Sequence, residues 1–400
     1  MKKANELKKF KDRIIQNYHI IILSFLMILS ALFISCKSSE SSNPAALKKR
    51  VVCCQISPDN KTLMFDYYTP VGPKTATYDV STGKIRAYND EVNKVNEGAM
   101  YSPDGTKISY LGSRQINEPL DVYIMNADGT NRRQITKDVQ ALGAAFFSPD
   151  GKKLSFLGRK NSTDPFNLFI VDVNGSNLRQ ITTDKNVKGV PDFSPDAKRI
   201  IYKRSHLRRE RAFPLKGEMD TAWDMYEFNL VTGVEKRLTN YNFYKAYNPK
   251  YMSDGKRFTF SAECPVNSKG PGPKDYEEYE KIYGKNFIFI MDGSNNELKP
   301  AFTYGDNSIS CYKGVDDSRL FLSEIRGKNG SKTTQELFLY KNGKITQLTN
   351  LNLYIVSGTL STDNSIVNFA GYKDKEAKYW LMNIDGTGLK EVLIPQDELK

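Results

Sequence analysis

The stretch F-S-P-D-G-K-K-L-S-F at residues 147–156 decides the fold, because related stretches occur seven times along the chain. Each copy places a polar turn around an aspartate, with apolar residues on both sides. Successive aspartates are 45, 46, 46, 58, 62 and 47 residues apart. A regular period in the forties with β patterning is typical of a propeller built one blade at a time. The seven shared turn residues are Asp59, Asp104, Asp150, Asp196, Asp254, Asp316 and Asp363.

The third repeat shows how the sequence encodes a blade. Short apolar or alternating runs at 143–147, 153–157, 167–173 and 178–182 predict four strands. The S-P-D-G turn at 148–151 joins the first two. Proline fixes φ there, the aspartate accepts backbone N–H groups, and glycine adopts a positive φ. We therefore predict that the shared aspartates are structural turn residues and not catalytic ones.

Seven such repeats of four strands account for residues 50–396 and leave no room for a second domain. Closing a ring of four-stranded sheets buries the faces of each sheet against its neighbours. The sequence thus predicts an all-β fold, a seven-bladed β-propeller of four-stranded blades, with six blades as the alternative.

The N-terminus has the features of a targeting segment. Residues 2–13 are basic, and residues 20–34 form an apolar run of 15, which suits a signal peptide better than a membrane span of about 20 residues. The sequence L-F-I-S-C ending at Cys36 resembles the lipobox of bacterial lipoproteins. That resemblance implies a signal peptide at 1–35, lipid attachment at Cys36 and a Ser-rich tether at 36–49. An uncleaved anchor helix is the alternative.

The same resemblance implies a location in the cell envelope. Lys37 follows the cysteine where an aspartate would indicate inner-membrane retention, so the expected location is the outer membrane, on its periplasmic or surface side. The other cysteines are Cys53, Cys54, Cys264 and Cys311. Their spacing resembles no zinc site, and both free thiols and a Cys264–Cys311 disulfide remain open.

The charge balance does not indicate a nucleic-acid partner. The chain carries 58 Lys and Arg against 46 Asp and Glu, a net charge of +12. Residues 1–35 supply +4 of this, so +8 remains on the rest. The basic residues are scattered through the turns, whereas nucleic-acid binding favours basic and aromatic residues clustered on one element.

The repeat also carries a family resemblance. S-P-D-G-K followed by an aromatic strand, N-A-D-G-T at 126–130 and R-Q-I-T at 133–136 is similar to the WD40-like (PD40) repeats of the TolB propeller. The resemblance covers residues 50–395 and implies a scaffold role in the cell envelope with a protein partner such as Pal. TolB has an α/β domain before a six-bladed ring, and only about 14 linker residues precede this one.

The residues that catalysis would need are scarce. The chain has two histidines, His19 in the targeting segment and His206 in what the sequence predicts to be a basic loop. A Ser-His-Asp site needs a base held by a third group, and no G-x-S-x-G motif occurs. Oligogalacturonate lyases have similar repeats but a histidine-rich metal site. The sequence therefore predicts no enzyme, no metal and no cofactor.

The long repeats locate the candidate binding face. The 58- and 62-residue periods place insertions at 205–221 and 263–285, on the face opposite the S-P-D-G turns. Arginines and aromatic residues are frequent in binding hot spots. The two insertions differ in charge, so internal salt bridges between them are the alternative to partner contact. The candidate partner-binding residues are Arg204, Arg208, Arg209, Arg211, Trp223, Tyr276, Tyr279 and Tyr283.

These observations predict a lipid-anchored, monomeric cell-envelope propeller that binds a protein or peptide through its insertion-bearing face. Carbohydrate or cell-wall binding is the second expectation. A polysaccharide lyase or hydrolase with its site in the propeller channel is the third.

Overall fold

The computed structural model describes residues 51–69, 72–88, 93–115, 118–211, 217–243, 246–247, 249–263, 286–292, 298–302, 307–313, 317–325, 334–373 and 376–393. Side chains are described for most of them. All secondary structure in these ranges is β. No described helix is long and apolar enough to cross a membrane. Residues 1–50, which hold the expected signal peptide, tether and Cys36, lie outside the described residues.

Four consecutive strands form each of the first five repeats, which are separate four-stranded sheets. Repeat 1 contains β1 (Val51–Ile56), β2 (Thr62–Thr69), β3 (Gly72–Asp79) and β4 (Ile85–Ala87). Repeat 2 contains β5 (Val95–Tyr101), β6 (Lys107–Ser113), β7 (Asp121–Asn126) and β8 (Arg133–Gln134). Repeat 3 contains β9 (Gln140–Phe147), β10 (Lys153–Arg159), β11 (Asn167–Asp172) and β12 (Arg179–Gln180). Repeat 4 contains β13 (Asp192–Phe193), β14 (Arg199–Arg211), β15 (Gly217–Asn229) and β16 (Glu235–Arg237). Repeat 5 contains β17 (Lys250–Tyr251), β18 (Arg257–Glu263), β19 (Asn286–Asp292) and β20 (Leu298–Phe302).

The last eight described strands form one sheet, in which two runs of four are joined by a single parallel pair, Gln335 with Tyr354. Repeat 6 contains β21 (Asn307–Lys313), β22 (Arg319–Ile325), β23 (Thr334–Lys341) and β24 (Lys344–Gln347). Repeat 7 contains β25 (Tyr354–Leu360), β26 (Ile366–Lys373), β27 (Glu376–Asn383) and β28 (Lys390–Val392). Within each repeat, sequence neighbours pair antiparallel, as expected for strands joined by short turns.

The shared aspartates stabilise the turn between first and second strands. In repeat 3, Ser148 Oγ donates to Asp150 Oδ1 at 2.6 Å and accepts the amide of Lys153 at 2.9 Å. Asp150 Oδ1 also accepts the amide of Lys152 at 3.2 Å. These bonds satisfy the carboxylate within its own turn. The same arrangement recurs at Asp59, Asp104, Asp196 and Asp363.

The other two turns differ. In repeat 5 the residue two positions before the aspartate is Met252, where the five turns above have a serine. Asp254 Oδ1 accepts the amides of Lys256 and Arg257, both at 2.8 Å. Asp316 lies outside the described residues. The next residue, Asp317, accepts the amide of Ser253 at 2.7 Å and so links repeats 5 and 6.

One turn has an unfavourable residue at its left-handed position. Ala197 has a φ of 56°, where Gly151 in repeat 3 has 68°. A side chain costs about 1–2 kcal/mol in this conformation, partly offset by the entropy lost when glycine is ordered. We expect Ala197→Gly to raise the free energy of unfolding by about 1 kcal/mol.

Gly151→Ala provides the matched control. A Cβ at Gly151 would meet Pro103 only at 4.0 Å, so the substitution tests backbone conformation without a clash. We expect a loss of about 1 kcal/mol, measured by chemical denaturation. If Ala197→Gly and Gly151→Ala change the free energy of unfolding in the same direction, the assignment of backbone strain to Ala197 is contradicted.

The core lies between the sheets. Apolar clusters join consecutive repeats, for example Leu111, Val122 and Phe156 between repeats 2 and 3. Directly opposed aromatic residues on second and third strands recur within the sheets, with ring centroids 5.2–6.0 Å apart. Such pairs add about 0.5–1.5 kcal/mol beyond the area they bury. The pairs are Tyr110–Tyr123, Phe156–Phe169, Tyr202–Tyr226, Phe321–Phe338 and Phe369–Trp380.

The first repeat packs directly on the last. Phe65 and Tyr379 belong to one buried cluster, and their ring centroids are 6.0 Å apart. At the turns, Asn60 Nδ2 donates to Asp363 Oδ2 at 2.8 Å. Both repeats take all four strands from consecutive sequence. Side-chain packing, without exchange of a strand, therefore joins the two ends of the described chain.

Candidate functional site

A long β-hairpin projects from repeat 4. Strands β14 and β15 have 13 residues each, whereas the second and third strands of the other repeats have six to eight. They pair from Arg199 opposite Asn229 to Arg211 opposite Gly217. The sequence-based prediction of a loop beginning at Ser205 is thus wrong: the extra residues extend the two strands, and His206 lies on β14 instead of in a basic loop.

A threonine two residues after the end of the outer strand anchors the third strand at the base of this hairpin. Thr239 Oγ1 donates to Asp224 Oδ1 at 2.6 Å and accepts the amide of Met225 at 2.9 Å. The same latch joins Thr136 to Asp121, Thr182 to Asn167 and Thr349 to Glu336. Thr136 ends the R-Q-I-T motif at 133–136, and the same motif or a variant of it ends at Thr182, Thr239 and Thr349. The motif does not reveal the acidic or amide partners of these threonines.

Asp224 is the most heavily bonded member of this set. It is fully buried and accepts Arg237 Nη2 at 2.6 Å and the amide of Tyr241 at 2.9 Å, besides Thr239. The positive charge of Arg237 balances the negative charge of Asp224. Asp224 therefore fixes the corner after β16, where the segment toward repeat 5 begins.

Arg204 is held by carboxylates of its own chain. Its Nη1 lies 2.9 Å from Glu235 Oε2 and 3.3 Å from Asp184 Oδ2. Its guanidinium stacks on the ring of Tyr226 at 3.7 Å from the centroid. Tyr202 also donates a hydrogen bond to Glu235. Both carboxylates lie outside the 205–221 and 263–285 insertions, so the guanidinium of Arg204 is engaged within the propeller region, and the expected pairing between the two insertions stays a prediction.

His206 occupies the edge of the same cluster. Its Nε2 lies 2.8 Å from the hydroxyl of Tyr226 and 3.8 Å from Asp224 Oδ2. Burial lowers the pKa of His206, and the nearby positive charge of Arg237 lowers it further. The imidazole is therefore neutral at neutral pH. Because the Tyr226 side chain is itself in the core, this contact tethers the base of the hairpin.

Trp223 is a core residue. It is 9% exposed and packs with Met225 and Phe243. The ammonium of Lys203 lies 4.4 Å from the centroid of its ring. Our expectation that Trp223 is displayed for a partner is corrected by this burial, because its indole fills the seam between repeats 4 and 5.

A shallow depression of about 470 Å³ lies beside the base of the hairpin and is lined by residues 237–241. Tyr241 is 36% exposed there and packs its ring on Phe243, with centroids 5.6 Å apart. Arg237 contributes a half-exposed guanidinium that Asp224 holds in place. The described part of the face thus offers an aromatic and a basic side chain in fixed positions.

The side chains of the remaining candidates lie outside the described residues. The backbone of Arg208, Arg209 and Arg211 lies on β14, and their side chains lie outside the described residues. Tyr276, Tyr279 and Tyr283 lie outside them altogether, as do the side chains of the four cysteines at positions 53, 54, 264 and 311. Among the described residues, no three His, Cys, Asp or Glu are grouped so that they could hold a metal ion.

Comparison with known proteins finds a family model that is similar to part of the chain. Residues 42–221 match the family model of the TolB beta propeller domain. No curated protein matches the chain in sequence. TolB from Acinetobacter baumannii is a structural neighbour at 17% identity, with 83% of this chain and 81% of that chain covered and a TM-score of 0.48.

Two further neighbours are similar in fold. The β-propeller domain of the Trilobed protease from Pyrococcus furiosus, described as having an open velcro topology, is 12% identical over 86% of this chain and 98% of that chain, with a TM-score of 0.61. Oligogalacturonate lyase from Vibrio parahaemolyticus is 11% identical over 84% and 88%, with a TM-score of 0.56. The described residues therefore form an all-β, propeller-like fold, and residues 42–221 match the family model of the TolB beta propeller domain.

Proposed function

We propose that this chain is a cell-envelope scaffold that binds a protein or peptide partner through the face bearing the β14–β15 hairpin. The observation that carries the proposal is the hairpin itself, which extends well beyond the other second and third strands. Loops and projections on a rigid scaffold are common binding elements. The aspartates of the S-P-D-G turns already accept hydrogen bonds within their own turns. The face that carries these turns is therefore the weaker candidate for partner binding.

The seven repeats are proposed to be seven blades of one closed ring. The packing of Phe65 on Tyr379 and the bond from Asn60 to Asp363 support closure between the first and last repeats. A ring of this kind needs no exchanged strand, because the apolar seam between its ends contributes the closing energy.

Binding without catalysis is the proposed activity. His206, the histidine of the propeller region, is bonded to Tyr226 and lies beside Asp224 at the base of the hairpin. This position gives it a structural role. No cofactor or metal is proposed.

A lipid anchor at Cys36 is the proposed attachment to the membrane, on the strength of the lipobox resemblance. Metabolic labelling with a fatty-acid probe tests it. Labelled wild-type protein and unlabelled Cys36→Ala are expected, and equal labelling of both would contradict the anchor.

The binding proposal is tested by shortening the hairpin. Leu207 lies opposite Thr221, so an Asn-Gly turn in place of residues 208–220 closes the hairpin without changing its register. We expect this variant to fold and to lose at least about tenfold in affinity for the envelope protein that the full-length chain captures from membrane extracts, which corresponds to about 1.4 kcal/mol of binding free energy. The matched control replaces exposed turn-face lysines, Lys152 and Lys198, with glutamine. Unchanged affinity in the shortened variant, or an equal loss in the control, would contradict the proposal.

A further inference from the structure

The β14–β15 hairpin has two faces that carry different residues. Successive residues of a strand lie on opposite faces of a sheet, and directly opposed residues of neighbouring strands share a face. Every pair in this hairpin joins two odd or two even positions, from Arg199 with Asn229 to Arg211 with Gly217. One face therefore consists of odd-numbered positions and the other of even-numbered positions.

Side-chain contacts at the base of the hairpin agree with this alternation. On the even-numbered face, the guanidinium of Arg204 lies 3.7 Å from the ring centroid of Tyr226. On the odd-numbered face, the ammonium of Lys203 lies 4.4 Å from the ring centroid of Trp223. Ala222 has a positive φ of 58°, but the register is the same on both sides of it. Both faces therefore continue into the hairpin tip, residues 207–211 and 217–221.

The charged residues of the tip are divided unequally between the two faces. The even-numbered positions hold one arginine and three acidic residues, a net charge of −2. The odd-numbered positions hold two arginines and no acidic residue, a net charge of +2. The even-numbered residues are Arg208, Glu210, Glu218 and Asp220, and the odd-numbered residues are Leu207, Arg209, Arg211, Gly217, Met219 and Thr221.

The two arginines of the odd-numbered face have uncharged residues at their cross-strand positions. The register places Met219 opposite Arg209 and Gly217 opposite Arg211. The arginines with described side chains in repeat 4, in contrast, each lie 2.6–3.1 Å from a carboxylate of the chain. An arginine and a carboxylate form charge-assisted and often bidentate hydrogen bonds. The pairs in repeat 4 are Arg199–Glu227, Arg204–Glu235 and Arg237–Asp224.

We propose, on the basis of the binding function proposed above, that the odd-numbered face of the hairpin tip binds an acidic segment of the envelope partner through Arg209 and Arg211. Carboxylates of the partner complement the charge of this face, which has no acidic position of its own. Anionic lipid fits less well, because segments that bind it carry about four to eight clustered basic residues.

Fluorescence anisotropy of a labelled hexaglutamate peptide with the full chain tests the chemistry of this face. We expect the double variant Arg209→Gln and Arg211→Gln to bind the peptide at least about tenfold more weakly than the wild type at low salt, because it loses both charge-assisted pairs. The double variant Lys152→Gln and Lys198→Gln removes the same charge from the turn face. It should bind within about twofold of the wild type, because distant exposed charges are screened.

Arg208→Gln is the second control, since it removes an arginine from the even-numbered face. Its affinity for the peptide should fall by less than about threefold, because Asp220 stands opposite Arg208. An equal loss in either control and in the double variant Arg209→Gln and Arg211→Gln would overturn the proposal, and so would a wild type that does not bind the peptide. Binding of the wild type to vesicles of equal parts phosphatidylglycerol and phosphatidylcholine, but not to hexaglutamate, would assign this face to a membrane instead.

Capture of the envelope protein from membrane extracts separates this proposal from the proposed function. If the shortened hairpin loses that protein while the double variant Arg209→Gln and Arg211→Gln keeps it at wild-type affinity, the acidic segment is wrong and the binding face stands. If the shortened hairpin also keeps it, both proposals fail. Loss of capture in both variants, with capture retained by Arg208→Gln, is the expected result.

Discussion

Phe65→Ala is expected to lower the free energy of unfolding by about 4 kcal/mol and to loosen both ends of the propeller region at once. Phe65 is 1% exposed and lies in the cluster that joins repeat 1 to repeat 7. Removing a buried phenylalanine costs the transfer energy of the ring and leaves a cavity, which together amount to about 3–5 kcal/mol. Chemical denaturation measures the loss.

Phe156→Ala is the matched control, because Phe156 is equally buried but lies between repeats 2 and 3. We expect a similar loss of stability from both variants but different patterns of amide exchange. Phe65→Ala should deprotect residues 62–69 and also residues 376–383, which are about 300 positions away in sequence. Deprotection of residues 62–69 alone would contradict closure of the ring by packing of the first repeat on the last.

Asp224→Ala is expected to lower the free energy of unfolding by about 3 kcal/mol. The substitution removes the acceptor of the Arg237 guanidinium, the Thr239 hydroxyl and the Tyr241 amide. Unpaired buried donors are expensive. Part of the loss is relieved because Arg237 is half-exposed and its guanidinium can reach water. Thermal denaturation with a second probe of the hairpin, such as amide exchange of residues 217–229, measures the effect.

Asp121→Ala is the matched control, because Asp121 makes the same hydrogen bond to a threonine but has no bond to an arginine. Asp121 occupies the equivalent position in repeat 2, where it accepts Thr136 Oγ1 at 3.1 Å and Gln134 Nε2 at 2.9 Å. Both partners are neutral. We therefore expect a smaller loss of about 1–2 kcal/mol. If Asp121→Ala lowers the free energy of unfolding as much as Asp224→Ala or more, the ion pair between Asp224 and Arg237 does not stabilise the corner at the base of the hairpin.

The sequence predicts the repeated architecture well because its signals are local. Each S-P-D-G turn carries its own hydrogen-bond partners within five residues, and each strand shows its alternation directly. The period of the aspartates then orders the sheets along the chain. The same reasoning located the hairpin of repeat 4, since the 58-residue period required extra residues there.

The details of the site depend on non-local partners, which the sequence pattern does not reveal. Arg204 is neutralised by Asp184 and Glu235, 20 and 31 positions away. The 58-residue period predicts an insertion at 205–221 with His206 in a basic loop, and residues 205–211 lack the apolar alternation of a half-buried strand. A hairpin that stands away from the core needs no such alternation, since cross-strand pairing alone sets its register.

Site-specific photo-crosslinking in intact cells tests the central claim most directly. A photoreactive amino acid is placed at Arg209 or Arg211 on the hairpin, and at Lys152 or Lys198 on the turn face as controls. The account predicts adducts with the same envelope protein from both hairpin positions and none from either turn position. Adducts from the turn positions, without any from the hairpin, would contradict the assignment of the binding face.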